Sequence, residues 1–282
     1  MPPNQRRIIG PETSTPWRIF LATDKPETPS KPKEAKKDIY IKVGVLTHVK
    51  GSAYLESGQT KIIAAVNPPR KISRQARKLT VGCISCELKF DRCASAVVNK
   101  ATTVKREKNL SILLKKALEP AVFRQDFPNF QIDIIILVLQ DSGCVLSSAI
   151  NCCSAALVDG GIQMYDMVVS STALVDRGKI VLCPELCVDT PVTCQEQELE
   201  GHEESGIVAL SQLASSMQIS ECFQKGYISK DLFKGIFEDL MTENRNIAKI
   251  MRKVLVKMVK ETIGKSVRSN FESTSALMTS FK

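Results

Sequence analysis

The chain is short of aromatics, of histidine and of acid. Phe, Trp and Tyr make up 5% of its 282 residues, with a single Trp, and there are two histidines. So few aromatics exclude a broad stacking platform for single-stranded bases. His48 and His202 come with no Gly-x-Ser-x-Gly element or other positioned nucleophile, which leaves no histidine-based hydrolase to assemble. No run approaches the roughly 20 apolar residues of a membrane-spanning helix, the longest stretch being residues 134–139. The Pro-rich, charged N-terminus does not read as a secretory signal, so the chain is expected in the cytosol or nucleus.

What is present is basic charge and thiol. Thirty-nine Lys and Arg against thirty Asp and Glu give a net charge of +9, which favours polyanionic partners, nucleic acid first. Ten scattered cysteines in a reducing compartment read as small hydrophobes. Cys83, Cys86, Cys183 and Cys187 could be drawn as a four-thiolate zinc site. However, Cys83 and Cys86 are three apart on a strand and point to opposite faces, so no cofactor or metal is expected. With 43% apolar and 24% charged residues, the chain can bury roughly 75% of its unfolded surface.

Residues 1–37 hold seven of the thirteen prolines and read as a partly disordered basic tail. Trp17, Ile19 and Phe20 are candidates for pinning part of it down. From Ile39 the pattern alternates, predicting a strand with Ile39, Ile41, Val43 and Val45 on one face. Strands over 52–56 and 60–66 follow, joined at Ser57-Gly58, so a meander opens the fold. Residues 79–90, apolar on both faces, read as a strand central to the sheet.

Leu110, Leu113, Leu114, Ala117, Leu118, Ala121 and Val122 repeat at helical spacing behind Asn109 as N-cap, with Pro120 kinking or ending the helix near its last turn. A strand over 131–140 and a helix from Leu146 to Leu157, stopped at Gly160-Gly161, come next. The small Ser147, Ser148, Ala155 and Ala156 would let that helix lie close to a sheet. Shorter strands are expected over 167–174, 179–182, 207–210 and 217–223. A helix from Lys230 to about Ile263 closes the body, with Ile247, Ile250, Met251, Val254 and Met258 facing the core. Lys249, Lys253, Lys257 and Lys260 form its solvated face. The order implies an α+β fold, helices stacked on mixed sheets, in a body of residues 38–263 between the tail and a C-terminal tail, 264–282.

Three stretches resemble the opening hairpin of the ribonuclease PH family: residues 50–56 (KGSAYLE), 58–61 (GQTK) and 67–70 (NPPR). Residues 139–143 (LQDSG), 147–151 (SSAIN) and 155–160 (AALVDG) resemble its second-helix signature. Within the family the chain is most similar to eukaryotic RNA exosome ring subunits of the messenger-RNA-transport-regulator-three branch, also called exosome component six. The resemblance covers about residues 39–262. It implies the ribonuclease PH fold, ribosomal protein S5 domain 2-like, with mixed sheets and packed helices, and assembly into a six-membered ring around an RNA channel. The implied partners are other ribonuclease PH-like subunits, RNA-binding cap subunits and RNA, in a hetero-oligomer without membrane contact. The implied locations are nucleus, nucleolus and cytoplasm.

Phosphorolysis brings inorganic phosphate beside a phosphodiester, two anions that repel, so active members supply two arginines and nearby carboxylates. On the resemblance, the first arginine falls on Arg106. The second falls on Val145, which cannot hold phosphate. The catalytic carboxylate falls on Ser205, whose neutral hydroxyl cannot replace that charge, and the neighbouring acidic position falls near Leu199. Glu203 and Glu204 are badly placed to substitute, since adjacent strand residues face opposite ways. The stretch 184–205, with seven acidic residues and no Lys or Arg, reads as solvated surface. A degenerate site without phosphorolytic activity is therefore expected. Two basic clusters then remain for contacts to RNA phosphates: Arg70, Lys71, Arg74, Arg77 and Lys78, and Lys100, Lys105, Arg106 and Lys108. An active phosphate-dependent 3′-to-5′ exoribonuclease and an RNA-binding scaffold outside any exosome stand as the alternatives.

Overall fold

The computed structural model describes residues 38–71, 81–92, 94, 100–176, 179–184 and 205–279. The expected N-terminal tail, with Trp17, Ile19 and Phe20, lies outside them. So do Arg74, Arg77, Lys78, Cys187, Leu199, Glu203 and Glu204.

β1 (Ile39–Val43), β2 (Gly51–Ser57) and β3 (Thr60–Val66) form the expected antiparallel meander. Gly58 takes a φ of 59° in its second turn, a conformation that suits glycine. β6 (Phe130–Gln140) pairs with β3 and with the short β4 (Arg70–Lys71), both antiparallel. Along its other edge it pairs in parallel with β5 (Cys83–Phe90). Because β3 and β5 use the same residues of β6, they flank it, and β6 is the middle strand, buried on one face. Its inward residues Ile132, Ile134, Ile136 and Val138 are all essentially inaccessible.

β5 was expected at the centre; among the described residues it pairs only with β6 and forms an edge. The N–H groups of Leu88 and Phe90 donate instead to side chains of helix α1 (Lys100–Leu118), the Ser111 hydroxyl and the Glu107 carboxylate, each at 3.0 Å. An edge strand whose free donors are taken by a neighbouring helix offers little template for wrong pairing. α1 also begins nine residues ahead of Asn109, which lies inside it, exposed. Its first turns (KATTVKREK) carry no apolar period, so their helicity left no signal in hydrophobic spacing. The helix stops at Leu118 before Pro120, as expected.

Helix α2 (Val145–Asp159) is buried on nearly every side, between the six-stranded sheet and a second, four-stranded sheet. That antiparallel sheet runs β10 (Ile219–Tyr227), β9 (Ser205–Leu213), β7 (Val168–Asp176), β8 (Lys179–Leu182). The small residues named from the sequence make this possible. A Cβ on Gly51 would lie 2.3 Å from the Gly160 nitrogen and 2.4 Å from the Ala156 carbonyl oxygen, so β2 touches the helix backbone directly. Polar groups along the helix are satisfied across the interface. Asn151 donates to Ser170 O (2.9 Å) and accepts from Ser170 N (2.8 Å), and Ser154 Oγ accepts from Val168 N (3.0 Å).

Helix α3 (Lys230–Thr279) covers the other face of the four-stranded sheet. Ile236 and Leu240 pack on Ala173, Val175, Val208 and Leu210. Farther on, Ile247, Ala248 and Met251 join the main core. Three of the expected core positions differ in degree: Ile250 is exposed, and Val254 and Met258 are only partly buried. The helix has to serve two surfaces in turn, and its inward line passes through Leu240, Asn244, Ile247, Met251 and Leu255. It continues to Thr279, past the expected end near Ile263.

Two outcomes are expected. Gly51→Ala should lower the free energy of unfolding in urea by about 3 kcal/mol, because the new methyl meets backbone that cannot move aside. Gly161→Ala, strained at φ 61° but facing open space, should cost about 1 kcal/mol. The second concerns the thiols. Burial pushes Cys86 and Cys152 from 9.0 up to about 12 and Cys153 well above its ordinary value. All three should resist iodoacetamide at pH 8 in the native chain and react in urea. Since the unfolded thiols ionise first, stability should hold below pH 9 and fall from there toward pH 12. The expected loss is roughly 1 kcal/mol per pH unit for each thiol, read from urea midpoints at pH 8 and 10.

Candidate functional site

The site forms where β6 ends and α2 begins, at the loop Asp141-Ser142-Gly143-Cys144. Asp141 is nearly buried. Its Oδ1 accepts from Gly143 N (3.1 Å) and its Oδ2 from Arg106 Nη2 (2.8 Å), while its own N–H donates to Ala94 O. The first bond closes a local turn of the kind Asp readily makes with the backbone two residues on. Gly143 and Cys144 take φ values of 98° and 56°. Thr60, at the start of β3, latches the loop from the far side: its buried hydroxyl donates to Gly143 O (2.8 Å) and accepts from Ser142 N (3.3 Å).

Arg106 projects from α1 toward this loop. Its guanidinium lies 4.4 Å from the centre of the Phe90 ring, a cation–π contact, and the Asp141 side chain it pairs with is 2% exposed. A buried carboxylate is tolerable only when paired and hydrogen-bonded, and Arg106 supplies the charge. Any phosphate brought here has to compete with Asp141 for that guanidinium.

Val145, the first residue of α2, is 1% exposed. It fills core volume and presents no donor. The N-cap Cys144 makes no side-chain cap bond, and its thiol instead contacts Pro184 O at 3.4 Å. Ser205 opens β9, exposed, paired with Asp176 and Tyr227. Gly226 presses against it, since a Cβ there would lie 2.4 Å from Ser205 O.

The described basic residues expected to meet RNA are not brought together. Arg70 and Lys71 lie on β4 beside Phe130 and Gln131, at the start of β6. Arg70 is ion-paired to Asp133 at 2.5 Å, and Lys71 is exposed. Lys105 and Lys108 are exposed on α1 near Arg106, which is bound at Asp141. Asp133 and Asp141 are eight residues apart on one extended stretch, about 27 Å at strand rise, so the two arginines sit at opposite ends of β6. The sequence reading also missed Phe130, a partly exposed aromatic paired with Lys71. Its place at the head of an otherwise aliphatic strand was the available signal. Among the described residues no group of three or more His, Cys, Asp or Glu is placed to hold a metal ion.

Comparison with known proteins fits this geometry. The sequence profile of the 3′ exoribonuclease family (RNase PH), domain 1, matches residues 35–163, a span that includes the meander, Arg106, the Asp141 loop and α2. Exosome complex component Rrp41 of Methanopyrus kandleri is 31% identical over 216 residues, covering 74% of this chain and 87% of that protein. The chain belongs to the ribonuclease PH family.

Among other family members, exosome complex component MTR3 of Mus musculus is 33% identical over 184 residues, 60% of this chain and 67% of that protein. The human MTR3 match, at 32%, spans 66% of its length. The chain thus aligns with about two thirds of these relatives. Two solved structures share the ribonuclease PH fold. The crystal structure of rice (Oryza sativa) Rrp46 superposes with a TM-score of 0.63 at 22% identity, covering 80% of this chain and 97% of that one. The Archaeoglobus fulgidus exosome with RNA bound to the active site gives a TM-score of 0.62 at 16% identity, covering 77% and 89%.

The ion pair makes a prediction independent of catalysis. Arg106→Ala removes the ion-pair partner that lies 2.8 Å from the buried Asp141 carboxylate and should lower the urea unfolding free energy by about 3 kcal/mol. Adding Asp141→Ala should recover part of that loss, and the double-mutant cycle measures the coupling.

Proposed function

We propose that this chain is a non-catalytic subunit of an RNA exosome ring, supporting assembly and RNA channelling in 3′-to-5′ RNA processing and degradation. The observation that carries the reading is the α2 N-terminus. At the position where the family resemblance puts a second phosphate arginine, the chain has a buried valine, and Arg106 is already held by Asp141. A single engaged guanidinium is a poor trap for phosphate beside a phosphodiester. Ser205 at the expected carboxylate position points the same way. The relatives named as exosome complex components support the ring assignment.

On this reading the partners are other ribonuclease PH-like subunits, RNA-binding cap subunits and RNA, in a hetero-oligomer found in nucleus, nucleolus and cytoplasm, with no cofactor. Among the described residues no helix is long and apolar enough to cross a membrane. Residues 38–263 form the ribonuclease PH-like body, flanked by the basic N-terminal segment and by 264–282. RNA contact is assigned to Arg70 and Lys71 at one end of β6, to Lys105 and Arg106 at the other, and to Arg74 and Arg77, which lie outside the described residues, through phosphates without sequence choice.

The test is a tagged pull-down from cell extract with mass spectrometry, followed by phosphate-dependent RNA decay on the recovered complex. Several ribonuclease PH-like subunits should co-purify, and any release of nucleoside diphosphates should survive Arg106→Lys in this chain. Recovery of the chain alone would refute the ring assignment. Nucleoside diphosphate release abolished by that substitution would make it an active exoribonuclease.

A further inference from the structure

Helix α3 carries a feature the ring reading does not use. Between Arg245 and Lys260 there are six basic residues and no acidic one, and Arg245, Lys249, Arg252, Lys253, Lys257 and Lys260 are all exposed. An ordinary solvated helix face interleaves both signs, because i,i+4 pairs of opposite charge stabilise it and like charges do the reverse. Here Lys249–Lys253–Lys257 are successive like-charge neighbours. No carboxylate among the described residues lies within ion-pair distance of Lys249, Lys253, Lys257 or Lys260. The helix bears this repulsion on the side opposite its inward line of Ile247, Met251 and Leu255.

The chemistry of the outermost line selects the partner. Positions 249, 253, 256 and 260, spaced four, three and four, share one side of the helix. They carry three lysines and one valine, Val256, which is 53% exposed. That line is too charged to fill an apolar groove on another protein or to sink into a bilayer interface, where a broad apolar face is needed. No Phe, Tyr or Trp lies between 245 and 260, so bases have nothing to stack on. What remains is a rail of point charges about 17 Å long from Lys249 to Lys260, which matches a sugar-phosphate backbone. α3 packs on β7, β9 and β1, none of which carries Arg70, Lys71, Lys105 or Arg106, so this face is separate from those four residues.

We infer that the exposed face of α3 formed by Lys249, Lys253 and Lys260, with Arg245, Arg252 and Lys257 at its margins, binds the phosphodiester backbone of RNA without regard to sequence. The choice of RNA as the polyanion rests on the ring reading; the charge and geometry of the face do not. Each phosphate neutralised on a single strand contributes about 0.7 to the slope of log affinity against log salt.

The test is fluorescence anisotropy of a labelled oligo(U) RNA with the full chain, titrated between about 50 and 200 mM salt. The variant K249Q/K253Q/K260Q should lower the slope by about 2 and weaken binding about 100-fold near 0.1 M salt. Each single Lys→Gln should lower the slope by about 0.7, while the triple Lys→Arg should keep both slope and affinity. Unchanged slope and affinity in the triple Gln variant, with circular dichroism and urea midpoint intact, would overturn the inference. So would Val256→Ser weakening RNA binding as much as the triple variant, which would mark an apolar docking face. Variant-sensitive binding to vesicles of anionic lipid with RNA binding untouched would overturn it as well. A pull-down with the triple variant separates this from the ring reading. Ring partners recovered beside an unchanged salt slope defeat the inference alone, and a changed slope with no ring partners defeats the ring reading alone.

Discussion

Everything in this molecule depends on burying one helix between two sheets. A helix covered on a single side can keep polar side chains in water, but α2 cannot, since twelve of its fifteen residues are buried. Close approach therefore requires small side chains, and every polar group it does carry requires a partner. Gly51 against Gly160 and Ala156 meets the first condition. Asn151 on Ser170, and Ser154 on Val168 N, meet the second. The two sheets hold each other through this helix.

A helix so constrained fixes its own N-terminus, and with it the Asp141 loop. Thr60, on a neighbouring strand, and Arg106, on a different helix, both reach the same four residues. The result is a rigid junction at the place where, on the family resemblance, catalysis would assemble. There the buried acid is neutralised by the Arg106 guanidinium, and position 145 is a buried valine. On the proposed function the junction serves assembly, because the packing role of α2 does not depend on turnover.

Much of this was legible from residues alone. Alternation gave β1 to β3, the almost unbroken Ile, Leu and Val of 131–140 marked a strand without telling that it is the middle one, and the small residues before Gly160-Gly161 announced close packing. Two elements were misread for definable reasons. The first turns of α1 are polar and leave no hydrophobic period, so Asn109 passed for a cap. Residues 79–90 read as central because apolar side chains fall on both faces, although strand order depends on pairing between distant segments. That the resemblance sets an arginine where this chain has Val145 could be read by motif position. That Arg106 is committed to Asp141, thirty-five residues away, could not.

What the sequence determined by itself is local and compositional: element types, the helix that had to lie close to a sheet, the net positive charge, and the absence of an arginine at position 145. Tertiary structure alone decided which charges are spent and which remain. Arg70 and Arg106, adjacent to other basic residues in the chain, are each held by an aspartate from β6 or its end. The lysines of α3, which the helical period marks as ordinary solvent face, have no carboxylate within ion-pair distance among the described residues. Charge pairing is a matter of distance in space, and a hydrophobic period records only which side of an element faces inward.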